Sequence, residues 1–384
     1  MSNFIHFGCW NNLNKGCLKK VMNLLSERLT TKDGAPKIDF LTIAGDNYYP
    51  EKVKKVKGEK KKKIINTTLL AEGFSYLPKE IPIYMVLGNH DLETNTGEDN
   101  FFIDNLETSV PINTCPVIYQ QIAQTNNTNI EYSFFKEMMI ENRTQIIMID
   151  TSIYSADARE YIPCYNVILP RNYVDVDEIR QYQHGLIMTT IMNAKAKGIT
   201  NLILIGHHPI IGLKKKDEAD ANINDIIMFD NVLKGIYSEL KDNDVNVNYF
   251  YLCADVHLYQ EGNIGVKLED GTIMNIQQYI VGTGGTELDK CVVPPSVYED
   301  DRLTYNMTRC VENGGFLECI NTPDNLTFRF NEIPKEGGRR KSRRTRKNRK
   351  TRKHRKTIKN RKTRKHRKTI KNRKSATYSN KYLY

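Results

Sequence analysis

Four short motifs carry the carboxylate, amide and imidazole groups from which a reactive site could be built. Each follows a run of apolar residues and opens with a small residue. The motifs are Gly45-Asp46-Asn47-Tyr48-Tyr49, Gly88-Asn89-His90-Asp91, Gly206-His207-His208-Pro209 and Ala254-Asp255-Val256-His257. Oxygen and nitrogen ligands of these types suit hard or borderline metal ions. One such loop could be an ordinary turn, whereas four in series predict a metal site.

The apolar runs before these motifs predict the strands that would position them. They span residues 41–44, 83–87, 201–205 and 247–253. A polar side chain directly after a buried strand is held rigidly at the edge of the sheet, where α/β folds build their ligand sites. The motif residues are therefore expected to form one site at the ends of these strands.

The rest of the first 330 residues alternates predicted strands and helices. Further strands are predicted at 4–7 and 145–149, and helices at 18–29, 64–77 and 177–197. Residues 92–142 are polar and irregular, which predicts a long excursion that shapes the mouth of the site. Strands near 277–281, 316–320 and 326–330 are expected to complete a second sheet. The Lys-rich segment 51–63 is either a solvated loop or a cationic lip that attracts phosphate.

Taken together, the motifs resemble those of the calcineurin-like metallophosphoesterases, and within them the purple acid phosphatase (tartrate-resistant acid phosphatase-like) branch. Lesser similarities are Ile149-Asp150-Thr151 and Val281-Gly-Thr-Gly-Gly285, and the resemblance runs from about Phe4 to Phe330. It implies an α/β fold in which two mixed β-sheets pack face to face and are flanked by helices, a four-layer α-β-β-α arrangement. It also implies two metal ions, iron with iron, zinc or manganese.

The resemblance assigns metal-binding roles by position. Asp46 matches the aspartate that bridges the two metals, and Tyr49 matches the tyrosinate that binds ferric iron. His257 matches a ligand of the same metal as the tyrosine, while Asn89 and His207 match ligands of the second metal.

Catalytic roles are assigned in the same way. His90 matches the outer histidine near the leaving group, Asp91 could orient the His90 ring, and Asn89 would help to hold the ester. His208 is interpreted as a residue that supports the ligands rather than as a ligand.

Two positions depart from the family pattern. Cys9, in Phe7-Gly8-Cys9-Trp10-Asn11, occupies the place of a metal-binding aspartate, and Asp255 occupies the place of a histidine. Cys9 either binds metal as a thiolate or is an inert buried thiol beside an incomplete first site. Asp255 is a plausible ligand that favours harder ions such as manganese or magnesium. The extra negative charge predicts a site that is slower, tuned to another metal mixture, or inactive.

The leading functional hypothesis is phosphomonoester hydrolysis by a metal-held hydroxide, as in acid phosphatases. The alternatives are a nucleic-acid phosphodiesterase or nuclease on the same fold, and a catalytically impaired scaffold that acts through its basic C-terminal segment. A phosphorylated substrate is the expected partner in the first case.

Charge divides the chain in two. From Arg339 onward there are 24 of the 57 Lys and Arg residues and no Asp or Glu, hence +24, while the preceding part carries 45 acidic and 33 basic residues, hence −12. A catalytic domain is therefore predicted at 1–333 and a disordered Lys/Arg-rich tail at 334–384, with a 12-residue repeat at 350–361 and 362–373. Residues 339–384 are expected to bind nucleic acid or another polyanion.

Targeting and redox features complete the predictions. No apolar run approaches the roughly 20 residues of a membrane span, and the N-terminus does not have the pattern of a signal peptide. The eight cysteines lack paired spacing, so reduced thiols in a reducing compartment are expected. The predicted location is therefore cytoplasmic or nuclear. The repeated basic tail also resembles those of some large DNA virus proteins, which adds the virion or an infected cell as an alternative.

Overall fold

The computed structural model of the protein describes residues 2–30, 35–52, 61–94, 99–103, 115–126, 128–141, 143–215, 221–224, 230–241, 246–268, 270–322 and 325–334. In these ranges the strands are β1 (Phe4–Phe7), β2 (Phe40–Ala44), β3 (Glu51–Lys52), β4 (Lys61–Ile65), β5 (Ile83–Val86), β6 (Asp99–Ile103), β7 (Ile130–Tyr132), β8 (Phe135–Ile140), β9 (Thr144–Ile149), β10 (Asn201–Ile205), β11 (Gly212–Lys215), β12 (Ala221–Asn224), β13 (Asn248–Cys253), β14 (Tyr259–Lys267), β15 (Ile273–Val281), β16 (Ser296–Glu299), β17 (Leu303–Val311), β18 (Gly315–Asn321) and β19 (Leu326–Glu332). The helices are α1 (Leu18–Leu29), α2 (Thr67–Ser75), α3 (Pro116–Thr125), α4 (Ile162–Ile168), α5 (Val176–Ala196) and α6 (Asp230–Leu240).

Two large mixed sheets organise these elements. A six-stranded sheet has the order β19-β18-β1-β2-β5-β7, and an eight-stranded sheet has the order β16-β17-β14-β15-β13-β10-β9-β8. Strands β1, β2 and β5 run parallel in the first sheet, as do β9, β10 and β13 in the second. The predicted α/β class with mixed sheets is confirmed.

Both faces of the parallel strands are buried, which explains why the sequences of these strands are continuously apolar. In β9, Ile146 and Met148 join the core shared with the six-stranded sheet, while Ile147 and Ile149 join a second core with α5 and α6. Successive side chains point to opposite faces of a strand, so a strand buried on both faces needs apolar residues throughout.

The two sheets contact each other through aromatic side chains. Phe328 of β19 lies 4.9 Å from Phe250 of β13 and 4.6 Å from Tyr279 of β15, measured between ring centroids. Phe330 stacks on Tyr259 of β14 at 4.0 Å. These rings close the space between the sheets and exclude water from it.

Several predicted elements need correction. Ile64 and Ile65 lie in strand β4, and helix α2 begins only at Thr67, because the Asn66 side chain accepts a hydrogen bond from Leu69 N and caps the helix there. The 92–142 segment is not irregular where it is described, since it contains β6, α3, β7 and β8. The strands predicted near 316–320 and 326–330 belong to the first sheet, because β18 pairs with β1.

The prediction that the cysteines are all reduced is wrong. Cys115 pairs with Cys164, and Cys291 pairs with Cys310, with Cα–Cα separations of 5.3 and 5.9 Å. Sequence separations of 49 and 19 residues hide these contacts, which only the fold creates. Cys9 is among the cysteines that remain free thiols.

Within the described part of the chain, the helices are too short or too polar to cross a bilayer. The predicted disordered tail, with its repeats and its polyanion partner, lies outside the described residues from 335 onward. So do residues 53–60 of the Lys-rich segment.

A buried ion cluster ties helix α1 to the first sheet and supports a stability prediction. The fully buried Glu318 carboxylate accepts hydrogen bonds from Arg28 Nε at 2.8 Å, Arg329 Nη2 at 2.5 Å and Asn331 Nδ2 at 3.1 Å. Burial raises the pKa of Glu318, but Arg28 and Arg329 outweigh burial and lower that pKa below its usual range. The carboxylate therefore stabilises the fold above its unfolded pKa of about 4.3, and this contribution is lost as the pH falls through the lower folded pKa.

Glu318→Gln is expected to lower the free energy of unfolding at pH 7 by about 3 kcal/mol, because it leaves Arg28 partly unpaired in a buried place. Urea unfolding at pH 7 and at pH 3.5 would measure this, and the difference from wild type should shrink at the lower pH. Arg329→Gln is the control, since its side chain is 66% exposed and its loss should cost less than about 1 kcal/mol. A pH-independent difference would contradict the electrostatic explanation.

Candidate metal centre

The loops after the parallel strands of both sheets meet at one place. Cys9 follows β1, Asp46 follows β2 and Asn89 follows β5, while His207 follows β10 and Asp255 follows β13. The strands are in register at these ends, with Ala44 beside Val86 and Ile205 beside Leu252. The structure thus brings together the residues predicted as metal ligands, and their ligand roles stay predictions.

Asp46 stands at the middle of the cluster, and its two carboxylate oxygens face different sets of side chains. Oδ2 accepts a hydrogen bond from Tyr49 OH at 2.9 Å and lies 4.0 Å from Cys9 Sγ. Oδ1 lies 3.3 Å from His207 Nε2 and accepts a hydrogen bond from His90 N at 3.1 Å. A carboxylate placed in this way can give one oxygen to each of two ions.

One set of donors combines a thiol, a phenol and an imidazole. The Tyr49 hydroxyl lies 3.3 Å from His257 Nε2. Cys9, Asp46 and His257 each have a potential ligand atom within 4.8 Å of the others. The His257 backbone is anchored, since its N–H donates to Asp289 Oδ2 at 3.0 Å. Sulfur, oxygen and nitrogen donors of this kind suit iron or zinc.

The second set is built around His207. Its ring Nδ1 lies 2.6 Å from the Ala44 carbonyl oxygen, which can only accept, so Nδ1 carries a proton and donates it. In the neutral ring Nε2 then presents a lone pair, and it faces Asn89 Oδ1 at 3.1 Å, Asp46 Oδ1 at 3.3 Å and Asp255 Oδ1 at 3.6 Å. Burial lowers the pKa of His207, but Asp46 and Asp255 outweigh burial and raise that pKa, so without a metal ion a protonated Nε2 can donate to these oxygens, and a metal ion would replace that proton. This donor arrangement fits a metal ion.

His208 also belongs to this region. The imidazoles of His207 and His208 and the carboxylate of Asp255 form a second group with potential ligand atoms within 4.8 Å of one another. His208 Nδ1 lies 3.1 Å from Thr151 Oγ1. That contact fits the predicted supporting role, which stays a prediction.

The backbone at the ligand positions is unusual. Cys9, Asp46 and Asp255 have φ values of 53°, 53° and 57°, in the left-handed region that non-glycine residues rarely adopt. Such strain of about 1–3 kcal/mol per residue persists at functional sites, where the surrounding structure enforces it. Each of these residues turns sharply off a buried strand, which aims its side chain into the cluster.

Two glycines permit the close approach of the loops. A Cβ on Gly45 would lie 2.5 Å from Gly88 N and 2.7 Å from His207 Nδ1. A Cβ on Gly88 would lie 2.4 Å from Asp46 Oδ1. Gly45 and Gly88 therefore do more than end a strand, because a side chain at either position would push the donors apart.

The electrostatic balance of the cluster shows what a cation would change. Burial raises the pKa of Asp46, but His207, His90 and His257 outweigh burial and lower that pKa to about 2. Burial together with the Asp46 charge raises the pKa values of Cys9 and Tyr49 well above their usual ranges. The thiol and the phenol are protonated without metal, and binding as anions would release those protons to solvent.

His90 is held by a residue that the sequence did not single out. Its ring Nδ1 lies 2.7 Å from Glu93 Oε1, and Glu93 Oε2 forms an ion pair of 2.7 Å with Lys63 Nζ. Burial lowers the pKa of His90, but Asp46 and Glu93 outweigh burial and raise that pKa to about 9. The only sequence signal was the i, i+3 spacing of two polar residues in one loop.

The predicted role of Asp91 is wrong. Its carboxylate accepts hydrogen bonds from Asn47 N at 2.9 Å, Gly88 N at 2.8 Å and Gln121 Nε2 at 2.6 Å, and a further one from Asn47 Nδ2 at 2.9 Å. All the hydrogen bonds found for the Asp91 side chain come from these donors rather than from His90. The loop turns after His90, which carries the Asp91 side chain inward toward the strand ends. Asp91 therefore joins the Asp46 loop to the Asn89 loop.

Thr151, two residues after the end of β9, supports the second set of donors. Its Oγ1 accepts hydrogen bonds from His207 N at 3.1 Å and His208 N at 2.9 Å. The sequence signal was present in Ile149-Asp150-Thr151, where a polar pair follows an apolar run, but no role could be assigned to it. The hydroxyl fixes the backbone from which the histidines project.

A cavity of about 600 Å³ opens beside the cluster. Tyr49, His90 and His257 form the part of its wall nearest the donors. The remaining charged residues of the wall are Lys15, Lys52, Lys63, Glu51, Glu93, Glu287 and Asp289. Of the Lys-rich segment, the described residues Glu51, Lys52 and Lys63 line this wall, and the cationic lip stays a prediction because residues 53–60 lie outside the described residues.

Comparison with known proteins agrees with this arrangement. Residues 2–259 match the family described as Calcineurin-like phosphoesterase, and the chain belongs to that family. Membership implies metal-dependent hydrolysis of phosphoesters. A solved structure described as "Structure of PhoD" aligns with a TM-score of 0.46 and 11% identity, over 85% of this chain and 68% of that one. A search of curated proteins gave no significant match.

Proposed function

We propose that the protein is a dinuclear metal phosphomonoesterase of the purple acid phosphatase type, with the four-layer arrangement of that branch. The observation that carries the proposal is the position of Asp46, whose Oδ2 faces Cys9 and Tyr49 while its Oδ1 faces His207. A bridging carboxylate is what a pair of ions about 3.5–4 Å apart needs.

Tyr49 supports iron as one of the two ions. Its hydroxyl lies 2.9 Å from Asp46 Oδ2 and 3.3 Å from His257 Nε2, so the phenol oxygen is among donors of the same set. A phenolate is a hard anionic ligand that suits ferric iron. Iron with iron, zinc or manganese is the proposed pair.

The two departures from the family pattern are proposed as working ligands. Cys9 Sγ lies 4.0 Å from Asp46 Oδ2, and its left-handed backbone aims it at the cluster. Asp255 Oδ1 lies 3.6 Å from His207 Nε2. Together they would add negative charge, which holds the cations more tightly and attracts a phosphate dianion less strongly.

When bound, the two ions would supply an activated water and offset the charge of the transferring phosphoryl group. The side chains of the chain do the rest. Asn89, whose Oδ1 lies 3.1 Å from His207 Nε2, would help to hold an ester oxygen. His90, on the cavity wall, would serve the leaving group.

The test is metal content, visible absorption and hydrolysis measured on one sample of full-length protein. We expect two metals per chain and a visible charge-transfer band that Tyr49→Phe abolishes. Tyr48→Phe is the matched control, because the Tyr48 hydroxyl instead contacts the Asn66 backbone, and the band should survive. Substoichiometric metal and no hydrolysis after loading with iron, zinc or manganese would overturn the proposal.

The substrate class is tested by comparing the hydrolysis rates of 4-nitrophenyl phosphate, a monoester, and bis(4-nitrophenyl) phosphate, a diester. Faster hydrolysis of the monoester supports the phosphomonoesterase. Preference for the diester would favour the nuclease alternative, in which the basic residues 339–384 deliver a nucleic acid.

A further inference from the structure

Beside the candidate metal centre, the buried ion pair of Glu93 and Lys63 holds the ring of His90 through Glu93. We propose that Glu93 and Lys63 form a positioning pair that fixes the His90 imidazole for proton transfer to the leaving group, which makes the enzyme effective on phosphomonoesters with poor leaving groups. This inference rests on the proposed function and adds to it which substrates are favoured and which residues favour them.

Each carboxylate oxygen of Glu93 contacts a different side chain. Oε1 pairs with His90 Nδ1 and Oε2 with Lys63 Nζ, each at 2.7 Å. The side chains of Glu93 and Lys63 are only 16% and 7% exposed. Lys63 is held in turn, because its ammonium lies 5.2 Å from the centroid of the Phe101 ring. A pair this enclosed has little freedom, so the oxygen offered to His90 stays in place.

The rest of His90 is fixed as well. Its backbone N–H donates to Asp46 Oδ1 at 3.1 Å, and its ring lies 5.0 Å from the Tyr49 ring. Since Glu93 engages Nδ1, the other ring nitrogen, Nε2, is the one left for a substrate in the cavity. The carboxylate therefore decides which ring nitrogen serves the reaction.

The positive charge of Lys63 explains why the Glu93 carboxylate is tolerated beside an anionic substrate. Glu93 alone would add a negative charge to the wall of the phosphate cavity. The ammonium of Lys63 offsets that charge while leaving Oε1 free to accept from the ring. The pair thus orients His90 without a net charge that would repel the phosphoester.

The proposed step balances as an ordinary hydrolysis. The water oxygen forms a bond to phosphorus and releases one proton to solvent as the bond from phosphorus to the ester oxygen breaks, and the ester oxygen takes the proton from His90 Nε2. The products are an alcohol and inorganic phosphate, and His90 regains a proton from solvent. A poor leaving group needs this proton in the transition state, whereas a good one departs as an anion without it.

The test compares phenyl phosphate, which has the poorer leaving group, with 4-nitrophenyl phosphate on full-length, metal-loaded protein. Glu93→Gln is expected to lower kcat for phenyl phosphate about 100-fold and kcat for 4-nitrophenyl phosphate no more than about threefold, with KM and metal content unchanged. Glu93→Asp, which keeps the charge, should recover part of the loss. An equal loss on both esters would mean a merely structural role and would overturn the proposal.

A double-mutant cycle tests whether Glu93 acts through His90. In a His90→Asn background Glu93→Gln should have almost no further effect on phenyl phosphate, and additive losses would contradict the proposal. Because Glu93→Gln leaves Lys63 without its partner, a Lys63→Met/Glu93→Gln variant removes both charges and should show the same discrimination between the esters. Wild-type protein that hydrolyses neither ester would overturn the proposed function itself, a result distinct from a uniform loss in the variants.

Discussion

An Asp46→Asn variant is expected to lose at least about a thousandfold of its phosphoester hydrolysis rate and to bind both metals poorly. The reason is geometric. The Asp46 oxygens face two separate sets of donors, at 2.9 Å from Tyr49 OH and 3.3 Å from His207 Nε2. An asparagine offers one carbonyl oxygen and an amide nitrogen that cannot bind a cation, so only one set keeps its shared ligand.

The measurement is metal content together with kcat, with circular dichroism to establish that the variant is folded. Asp175→Asn is a suitable control, because Asp175 is an exposed N-cap of α5 and asparagine caps equally well. Retention of both metals and of activity in Asp46→Asn would exclude a bridging role. Loss of one metal alone would place Asp46 in a single site.

What the sequence predicted well depends on local patterns. The buried strands were recognisable because both faces are covered, as in β9 and β10, which makes their runs continuously apolar. The polar residues after the parallel strands of one sheet lie together because strands in register end at one edge, and the packing of the two sheets then brings the two groups to one place. Asp46 and His207 follow strands of different sheets, and they were predicted in one site because each belongs to a polar motif that follows a buried strand.

What the sequence missed depends on contacts between distant segments. Lys63 belongs to a strand within a Lys-rich segment, and nothing in the local sequence distinguishes it from the other lysines of that segment. Its pairing with Glu93 requires the fold to bring β4 to the loop after β5. The pairing of Cys115 with Cys164 has the same origin, since two cysteines 49 residues apart carry no signal of a 5.3 Å Cα–Cα distance.

Asp91 shows how an adjacent position can mislead. A carboxylate next to a histidine in sequence invites the idea that the two side chains interact. Neighbouring side chains in a turn often point apart, and here Asp91 is fully buried while His90 faces the cavity. Four N–H donors, from Asn47, Gly88 and Gln121, surround the Asp91 carboxylate instead.

Asp91→Asn is accordingly expected to lower the free energy of unfolding by about 3–5 kcal/mol and the affinity for metal about 10–100-fold. The asparagine NH₂ group would face N–H donors where an oxygen now accepts, so at least one buried donor loses its partner. Asn47 and Gly88 flank Asp46 and Asn89, and any shift of those loops would separate the donors. Urea unfolding and metal titration would measure the two effects.

Asp177→Asn provides the matched control, because Asp177 is 60% exposed and pairs only with Arg180 at the surface in its described ion pairs, so it should cost less than about 1 kcal/mol. The ratio of phenyl phosphate to 4-nitrophenyl phosphate hydrolysis then separates two roles for Asp91. If Asp91 joins the loops, Asp91→Asn at saturating metal should leave that ratio near the wild-type value, because Glu93 still orients His90. If Asp91→Asn has normal stability but a changed ratio of the two hydrolysis rates, Asp91 rather than Glu93 would be the residue that orients His90.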